Sequence, residues 1–182
     1  MKINREKVEQ LVRTMKPLFT DSSRASQIKT KGACDYVTQV DIQVQKLIKE
    51  GLYQMYPQVQ FMGEEQDNTA IDRKGDFWIL DPVDGTTNLI HDFRHSTLSL
   101  AYAEAGTVEL GIVYQPYTDE MFVAVKGKGA FLNGKPIHVS EAKTLSESLV
   151  TIGTSPYYHE LADWIFKVFK EVFLSCQDIR HL

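Results

Sequence analysis

The sequence predicts an α+β domain in which helices pack on a large antiparallel sheet. Two segments with helical periodicity come first, a run of closely spaced segments with a period of two follows, and one more helical segment comes last. This segregation favours layers of helix and sheet over a repeated strand–helix–strand unit. With 182 residues, 43% of them hydrophobic, the chain is long enough to bury the core of one ordinary domain.

Composition and charge exclude several classes of partner. The 20 basic and 24 acidic residues are interspersed and leave a net charge of −4, so no basic face is indicated for nucleic acid or an anionic membrane. Cys34 and Cys176 are too few for a disulfide framework or a zinc cluster. The N-terminus has no apolar signal-peptide core, and no later run is as long as a membrane span. These features predict a cytoplasmic protein.

Two amphipathic helices are predicted before the sheet. Apolar residues recur at helical spacing over about 4–16, and Pro17 kinks or ends that helix. A second helical pattern covers 40–55, where Thr38 or Asp41 supplies a polar residue near the N-terminus of the helix. Both predicted helices are apolar on one side only, so both are expected to pack on the sheet.

An acidic turn follows a buried strand in the middle of the chain. The apolar run 77–80 predicts a short buried strand, which should end at Pro82 because proline cannot donate to a sheet ladder. Asp81 and Asp84 lie within this turn. Carboxylates gathered in one turn can bind hard cations such as Mg²⁺.

A short helix is predicted directly after the acidic turn. Gly85 permits a tight reversal, and Thr86 or Thr87 is a suitable N-terminal cap. The free amide groups at such a helix start can bind a phosphate. The helix should turn its apolar side chains inward, namely Leu89 and Ile90, with Phe93 as a further candidate.

Three other interpretations of the acidic turn are weaker or excluded. A lone pair of aspartates with a glycine is more often ordinary loop chemistry than a catalytic site. A calcium-binding EF-hand needs a glutamate at its twelfth position, where this chain has Asp92. The aspartyl-phosphate phosphatase pattern D-x-D-G-T requires a closer spacing than that of Asp81 and Asp84.

A second acidic turn supports a shared pocket. The strand predicted over 59–62 runs directly into Gly63-Glu64-Glu65, so a second strand end carries carboxylates. A single acidic pair of this kind is usually a solvated turn, but together with the turn at Asp81 it indicates one site. The polar segments 21–32 and 66–75 are predicted to be exposed loops, the first of them mobile.

The second half of the chain supplies the sheet. Asn133-Gly134 is the strongest hairpin signal in the sequence. Apolar residues from Leu161 to Val172 predict a strongly amphipathic helix. The predicted strands are 97–103, 108–114, 121–125, 130–132 and, more weakly, 149–152.

These motifs together resemble the inositol monophosphatase family. The similarity rests on the segments 35–41, 63–65, 81–88 (D-P-V-D-G-T-T-N, the most specific block) and 127–134, and it extends over about 35–182. The resemblance implies a layered αβαβα fold and a magnesium-dependent, lithium-sensitive phosphatase. It also implies that the second α/β half is absent, so that 1–182 would be the N-terminal metal-binding part of such a domain, incomplete at its C-terminus.

The resemblance further implies which residues bind metal. Glu64, Asp81 and the carbonyl group of Val83 are similar to the ligands of a first Mg²⁺, and Asp81 would bridge to a second Mg²⁺ held by Asp84. Two or three ions are expected in a complete site. Oxygen ligands suit Mg²⁺, and a pair of such ions can activate water and neutralise a leaving alkoxide.

Catalytic and substrate-binding roles follow from the same resemblance. Glu64 and Thr86 would orient the attacking water, Asp41 would accept a hydrogen bond from Thr86, and the amides of Gly85 and Thr86 would bind the phosphate. Each of these residues also has a structural explanation as a cap, a first-turn charge or a solvated neighbour. For the three acids at the two turns, the metal-binding interpretation is favoured.

The expected reaction is hydrolysis of inositol 1-phosphate. The alternatives are a family phosphatase acting on fructose 1,6-bisphosphate or 3′-phosphoadenosine 5′-phosphate, and a catalytically silent module that binds divalent cations and self-associates. The family commonly forms dimers, so a homodimer is expected. Neither nucleic acid nor a membrane is expected as a partner.

Overall fold

A computed structural model describes residues 3–21, 28–30, 36–154 and 158–181 of the chain. The described residues form two compact units, the first reaching Ile137 and the second beginning at His138. The helices are α1 (Arg5–Arg13), α2 (Lys16–Thr20), α3 (Gln39–Met55), α4 (Thr86–Ile90) and α5 (Ala162–Ser175), with short 3₁₀ turns at Leu145–Glu147 and His159–Leu161. Among the described residues, no helix is both long enough and apolar enough to cross a membrane.

The strands confirm the predicted α+β class. A seven-stranded sheet in the first unit has the order β3-β4-β5-β6-β7-β8-β9, and all of its neighbours are antiparallel except β3 and β4. The strands are β1 (Ile28–Thr30), β2 (Tyr36–Thr38), β3 (Gln60–Gly63), β4 (Phe77–Asp84), β5 (Thr97–Glu104), β6 (Thr107–Gln115), β7 (Glu120–Val125), β8 (Gly129–Leu132), β9 (Lys135–Ile137), β10 (Leu149–Ile152) and β11 (Asp178–His181).

The first predicted helix is two helices. Helix α1 stops at Arg13, and α2 begins at Lys16 with Pro17 in its first turn. A proline is tolerated there because the first amides of a helix have no intrahelical partner. The predicted loop 21–32 is partly wrong, since β1 pairs antiparallel with β2, while residues 22–27 and 31–32 lie outside the described residues.

Helix α3 has the N-terminus that the sequence predicted. Thr38 is the N-cap residue, and its hydroxyl oxygen accepts a hydrogen bond from the amide of Val40 at 3.1 Å. The carboxylate of Asp41 accepts hydrogen bonds in return from the amide and the hydroxyl of Thr38 at 2.8 and 2.6 Å. This capping box satisfies amides that the helix itself leaves free.

One face of the large sheet packs against α1 and α3 to form the core. Trp78 is at its centre, with its indole ring 5.8 Å from the Tyr56 ring and 5.1 Å from the Tyr102 ring. The apolar alternation of the strands and the apolar stripes of the helices meet in this layer. The fully buried members include Val8, Val12, Val44, Ile48, Leu98 and Tyr114.

Strand β4 continues past the point where the sequence predicted its end. It includes Pro82 and ends at Asp84, and its pairing with β5 shifts register between Asp81 and Asp84. A β-bulge explains the difference, because the extra residue of a bulge needs no ladder hydrogen bond and so tolerates proline. The bulge carries the acidic turn as part of the sheet instead of a separate loop.

The hairpin predicted at Asn133-Gly134 joins β8 to β9. Both turn residues have positive φ angles, 48° and 79°, as a tight two-residue hairpin requires. The side chain of Asn133 also accepts a hydrogen bond from the Met121 amide at 3.0 Å and another from Arg13 at 2.8 Å. The turn is therefore tied to a neighbouring strand and to α1.

The second unit contains the predicted strand at 149–152 and the last predicted helix. Strand β10 pairs in parallel with β11, a strand that the sequence analysis did not predict. Helix α5 is present, but none of its residues is buried. That 1–182 is the N-terminal metal-binding part of a longer domain stays a prediction.

Candidate metal and phosphate site

The two acidic turns lie side by side because β3 and β4 are parallel neighbours. Gly63 pairs with Leu80, and the amide of Glu64 donates a hydrogen bond to the carbonyl oxygen of Leu80 at 3.2 Å. Parallel strands place their carboxyl ends at the same edge of a sheet. Glu64 and Asp81, each the next residue along its strand, are thus brought together as the sequence predicted.

The carboxyl group of Asp81 has a raised pKa. Burial raises its pKa to about 7, and the negative charge of Glu64, a hydrogen bond with Glu64 and the charge of Asp84 add to the effect. The amide of Val83 donates a hydrogen bond to Asp81 at 3.2 Å, which lowers the pKa and only partly offsets the other causes. A divalent cation between these carboxylates would relieve the repulsion.

Asp84 and Val83 lie at the end of the bulge. The side chain of Asp84 is exposed, and its charge reaches Asp81 more weakly than that of Glu64. The carbonyl oxygen of Val83 accepts a hydrogen bond from the Thr86 hydroxyl at 3.0 Å and retains a second lone pair. In the described part of the chain, no three acidic, histidine or cysteine side chains gather around one possible ion position. The side chains of Glu64 and Asp81 share a hydrogen bond, whereas Asp84 acts on Asp81 through its charge.

Gly85, not a threonine, caps the short helix α4. Its φ angle of 84° is in the left-handed region, and Thr86 is the first residue of the helix. The predicted threonine cap is wrong because the chain must reverse within one residue, which glycine does without steric cost. A Cβ atom at Gly85 would lie 3.1 Å from the carbonyl oxygen of His95. Leu89 is buried as predicted, whereas Phe93 is 60% exposed.

Thr86 and Asp41 are in contact. The Thr86 hydroxyl lies 3.2 Å from the Asp41 carboxylate and 3.0 Å from the carbonyl oxygen of Val83, so its single proton has two acceptors. Asp41 is 3% exposed, and the two hydrogen bonds from Thr38 fix its orientation. The first turn of α3 therefore positions a buried carboxylate against the hydroxyl that follows the acidic turn.

Two residues that the sequence analysis missed hold the Glu64 turn. The side-chain oxygen of Gln45 accepts a hydrogen bond from the Glu65 amide at 2.9 Å. Asn68 binds both backbone groups of Gly63, accepting from its amide at 3.2 Å and donating to its carbonyl oxygen at 2.7 Å. Neither contact has a local sequence signal, although an asparagine soon after an acidic turn is a typical backbone partner.

Comparison with known proteins identifies a matching family and similar relatives. The model of the inositol monophosphatase family matches residues 2–180. A fructose-1,6-bisphosphatase/inositol-1-monophosphatase of Thermotoga maritima is 40% identical over 127 residues, which are 69% of this chain and 48% of that protein. The chain thus spans about half the length of this curated relative.

Solved structures agree in fold. An inositol monophosphatase of Thermotoga maritima superposes with a TM-score of 0.85 and 31% identity, covering 99% of this chain and 68% of that one. An inositol monophosphatase/NADP phosphatase solved with Mg²⁺ and phosphate has a TM-score of 0.77 over 95% of this chain and 62% of its own; at 24% identity it shows the fold alone. The match over nearly all residues and the agreement in fold lead to one conclusion: the chain belongs to the inositol monophosphatase family.

Proposed function

We propose that the site belongs to a metal-dependent phosphomonoesterase that hydrolyses inositol 1-phosphate to inositol and phosphate. The observation that carries the proposal is the Glu64–Asp81 pair, in which two carboxyl groups meet where the pairing of β3 with β4 ends, although their negative charges would repel. Such a pair is costly unless a cation or a proton neutralises it. The Thermotoga relative, named for inositol-1-monophosphatase activity, supports the same reaction class.

The donor set suits Mg²⁺. Glu64, Asp81 and the carbonyl oxygen of Val83 would hold the first ion, and Asp84 would contribute to a second, giving two or three ions in a complete site. All of these donors are oxygen atoms, which Mg²⁺ prefers over nitrogen and sulfur. When bound, Mg²⁺ supplies charge neutralisation and a water of lowered pKa.

The remaining residues would orient water and bind the phosphate. In one arrangement the Thr86 hydroxyl donates a hydrogen bond to Asp41, which leaves the Thr86 oxygen free to accept a hydrogen bond from water. Glu64 is exposed at the same edge and would orient that water from the other side. The amides of Gly85 and Thr86 would donate to the phosphate of the substrate.

The test combines metal binding with phosphate release. Calorimetric titration of Mg²⁺ and assay of phosphate from inositol 1-phosphate would compare wild type with Asp84→Asn, and with Glu6→Gln as a matched surface control on α1. We expect Asp84→Asn to weaken Mg²⁺ binding about tenfold and to abolish turnover, while Glu6→Gln resembles wild type. Near-normal activity of Asp84→Asn would refute the assigned role.

A second candidate function is a catalytically silent module that binds divalent cations and self-associates. One observation favours it: the sheet face opposite α3 carries exposed apolar side chains such as Val113 and Phe122. Phosphate release would be compared between this chain and a version extended past Leu182. Turnover by this chain itself would reject the silent module.

The substrate is a separate question within the enzyme class. Fructose 1,6-bisphosphate and 3′-phosphoadenosine 5′-phosphate are the alternatives, and the double name of the Thermotoga relative favours the first of them. Parallel assays with the three esters at equal concentration would rank them by kcat/KM. A clear preference for either alternative would overturn inositol 1-phosphate as the substrate.

We also propose a cytoplasmic homodimer. The cytoplasmic location is supported by the cysteine count of two, which fits a reducing compartment. A dimer is supported by the exposed apolar sheet face, since such faces are typical of association surfaces. Cell fractionation and sedimentation analysis test these two statements separately.

A further inference from the structure

Helix α3 carries two buried polar side chains that contact the two acidic turns of the candidate site. Asp41 and Gln45 are 3% and 8% exposed and lie four residues apart, so they are one turn apart on the same side of the helix. The Asp41 carboxylate accepts a hydrogen bond from Thr86, which follows one acidic turn. The side-chain oxygen of Gln45 accepts from the amide of Glu65, which belongs to the other turn. One helix therefore contacts both turns.

The contact with Gln45 orients one of the two peptide groups that flank Glu64. The Glu65 amide and the Glu64 carbonyl group belong to the same planar peptide, so the 2.9 Å hydrogen bond to Gln45 orients that whole unit. The peptide on the other side contains the Glu64 amide, which donates to the carbonyl oxygen of Leu80 at 3.2 Å. With both peptide planes held, α3 and β4 together set the direction in which the Glu64 side chain leaves the backbone.

A glycine makes room for this contact. A Cβ atom at Gly63 would lie 2.4 Å from the side-chain oxygen of Gln45 and 2.7 Å from its Cδ atom, closer than nonbonded atoms approach. The Gln45 side chain thus lies directly against the end of β3, immediately before Glu64. A side chain packed so closely has few alternative rotamers, so the contact fixes the distance between α3 and the Glu64 turn.

We propose that Gln45 is a positioning residue for the carboxylate of Glu64 and thereby for the first metal ion. The inference rests on the proposed role of Glu64 as a ligand of that ion. Gln45 acts through the peptide between Glu64 and Glu65 and not by binding the ion. Because Gln45 shares α3 with Asp41, the same helix also sets the position of the Glu64 carboxylate relative to the Thr86 hydroxyl. Residues that orient metal ligands in this way typically contribute about 10- to 100-fold to metal affinity.

The decisive variant is Gln45→Met, which keeps the length and the neutral charge of the side chain but removes the amide oxygen. We expect it to weaken Mg²⁺ binding about tenfold in calorimetric titration. In the metal-free protein, hydrogen exchange of the Glu65 amide should become about tenfold faster. The Glu64 amide, held by Leu80, should exchange as in wild type and serves as the internal reference for general loosening.

Gln60→Met on β3 is the matched control. Gln60 also binds backbone groups, accepting from the Asp72 amide at 2.9 Å and donating to the Asp72 carbonyl oxygen at 3.1 Å. Its replacement should lower the Tm and leave the Mg²⁺ affinity unchanged, which distinguishes a misplaced ligand from a general loss of stability. Gln45→Glu keeps an oxygen acceptor at the same distance from the helix and should restore the protection of the Glu65 amide.

A second variant covers the case in which Gln45→Met does not fold. The side chain of Gln45→Asn is one methylene group shorter, so its oxygen cannot reach the Glu65 amide, and we expect the same loss of Mg²⁺ affinity. Wild-type affinity in the folded variant, or an equal loss in Gln60→Met, would overturn the positioning role. If Asp84→Asn still weakens Mg²⁺ binding in that case, the proposed function stands. Failure of wild type to bind Mg²⁺ would overturn both.

Discussion

At the residue scale, Asp81 and Asp119 have pKa values that move in opposite directions. Burial and the neighbouring Glu64 raise the pKa of Asp81 to about 7. For Asp119, a hydrogen bond from the Tyr114 hydroxyl at 2.7 Å and the nearby Arg13 hold the pKa below its ordinary value. Burial without a cation favours the neutral acid, whereas donors favour the carboxylate.

Replacing the titratable carboxyl group of Asp81 should change how the free energy of unfolding depends on pH. Between the ordinary aspartate pKa of 3.8 and about 7, the folded chain binds more protons than the unfolded chain, so the free energy of unfolding falls as pH rises. Because Asp81 keeps some contact with solvent, we expect a loss of about 1–2 kcal/mol over this range. Asp81→Asn should abolish that slope in urea unfolding measured without divalent cations.

Asp119→Asn is the matched contrast. The pKa of Asp119 is lowered, so its contribution to stability is present above its ordinary pKa and is lost as pH falls through its folded value. Its removal should leave the slope between pH 4 and 7 unchanged and reduce only the loss at more acidic pH. An Asp81→Asn slope equal to that of wild type would show that Asp81 is already ionised at pH 5.

At the scale of elements, the fit of β3 against α3 controls the turn that bears Glu64. A Cβ atom at Gly63 would lie 2.4 Å from the side-chain oxygen of Gln45, the atom that accepts from the Glu65 amide. Gly63→Ala must therefore displace Gln45, and we expect it to lower the free energy of unfolding by about 1–3 kcal/mol.

A double-mutant cycle isolates this contact. Gln45→Ala alone should cost about 1 kcal/mol for the lost hydrogen bond. In Gly63→Ala/Gln45→Ala the new methyl group finds room, so the combined loss should fall short of the sum by about 1 kcal/mol. Denaturant unfolding of the four proteins gives the coupling, and strict additivity would place the strain elsewhere, for example at Phe61, 2.9 Å from the same position.

The β8–β9 turn provides a second prediction. Asn133 has a φ angle of 48° and also accepts from Met121 and Arg13. Asn133→Ala should destabilise the protein by about 2 kcal/mol, since it loses these bonds and places an ordinary residue in the left-handed region. Asn133→Gly keeps the backbone conformation and loses only the bonds, so thermal unfolding should rank it between wild type and Asn133→Ala.

The elements that the sequence predicted well are those with local causes. The capped start of α3 and the Asn133-Gly134 hairpin depend on residues within a few positions of each other. Strand β4 ran past Pro82 because its register with β5 admits a bulge, and β1 formed because β2 offers it an edge. Both outcomes depend on distant partners that no local pattern contains.

In the candidate site, too, the local motifs were predicted and the contacts between distant residues were not. Glu64 and Asp81 were paired from their motifs, and the parallel register of β3 and β4 brings them together. Gln45 and Asn68 were missed because an amide that binds a backbone turn looks like any polar surface residue in the sequence. Two acidic motifs can be recognised locally, whereas the contacts that support them depend on the packing of α3 and the following loop.

At the scale of the whole molecule, the apolar stripe of α5 behaves differently from those of α1 and α3. The sequence predicted an amphipathic helix, and the helix is present, yet Trp164 and Phe166 are 65% and 61% exposed. Amphipathic periodicity predicts a helix but not which surface covers its apolar side. Large apolar side chains of this chain therefore lie on the exposed surface of α5 as well as in the buried core.

The exposed apolar face of the large sheet leads to a prediction about association. Val113 and Phe122 are directly opposite each other on β6 and β7, are 40% and 37% exposed, and line a groove of about 370 Å³. Burying such a face stabilises a complex by roughly 25 cal/mol for each Å² of apolar surface removed from water. Wild type should therefore dimerise at micromolar concentration, and Val113→Ser/Phe122→Ser should weaken dimerisation at least tenfold, roughly 1.4 kcal/mol.

Val108, 50% exposed on β6 but outside the groove, supplies the control Val108→Ser, which should associate like wild type. Sedimentation equilibrium over a range of concentrations measures all three proteins, and equal dissociation constants for them would place the interface on another surface.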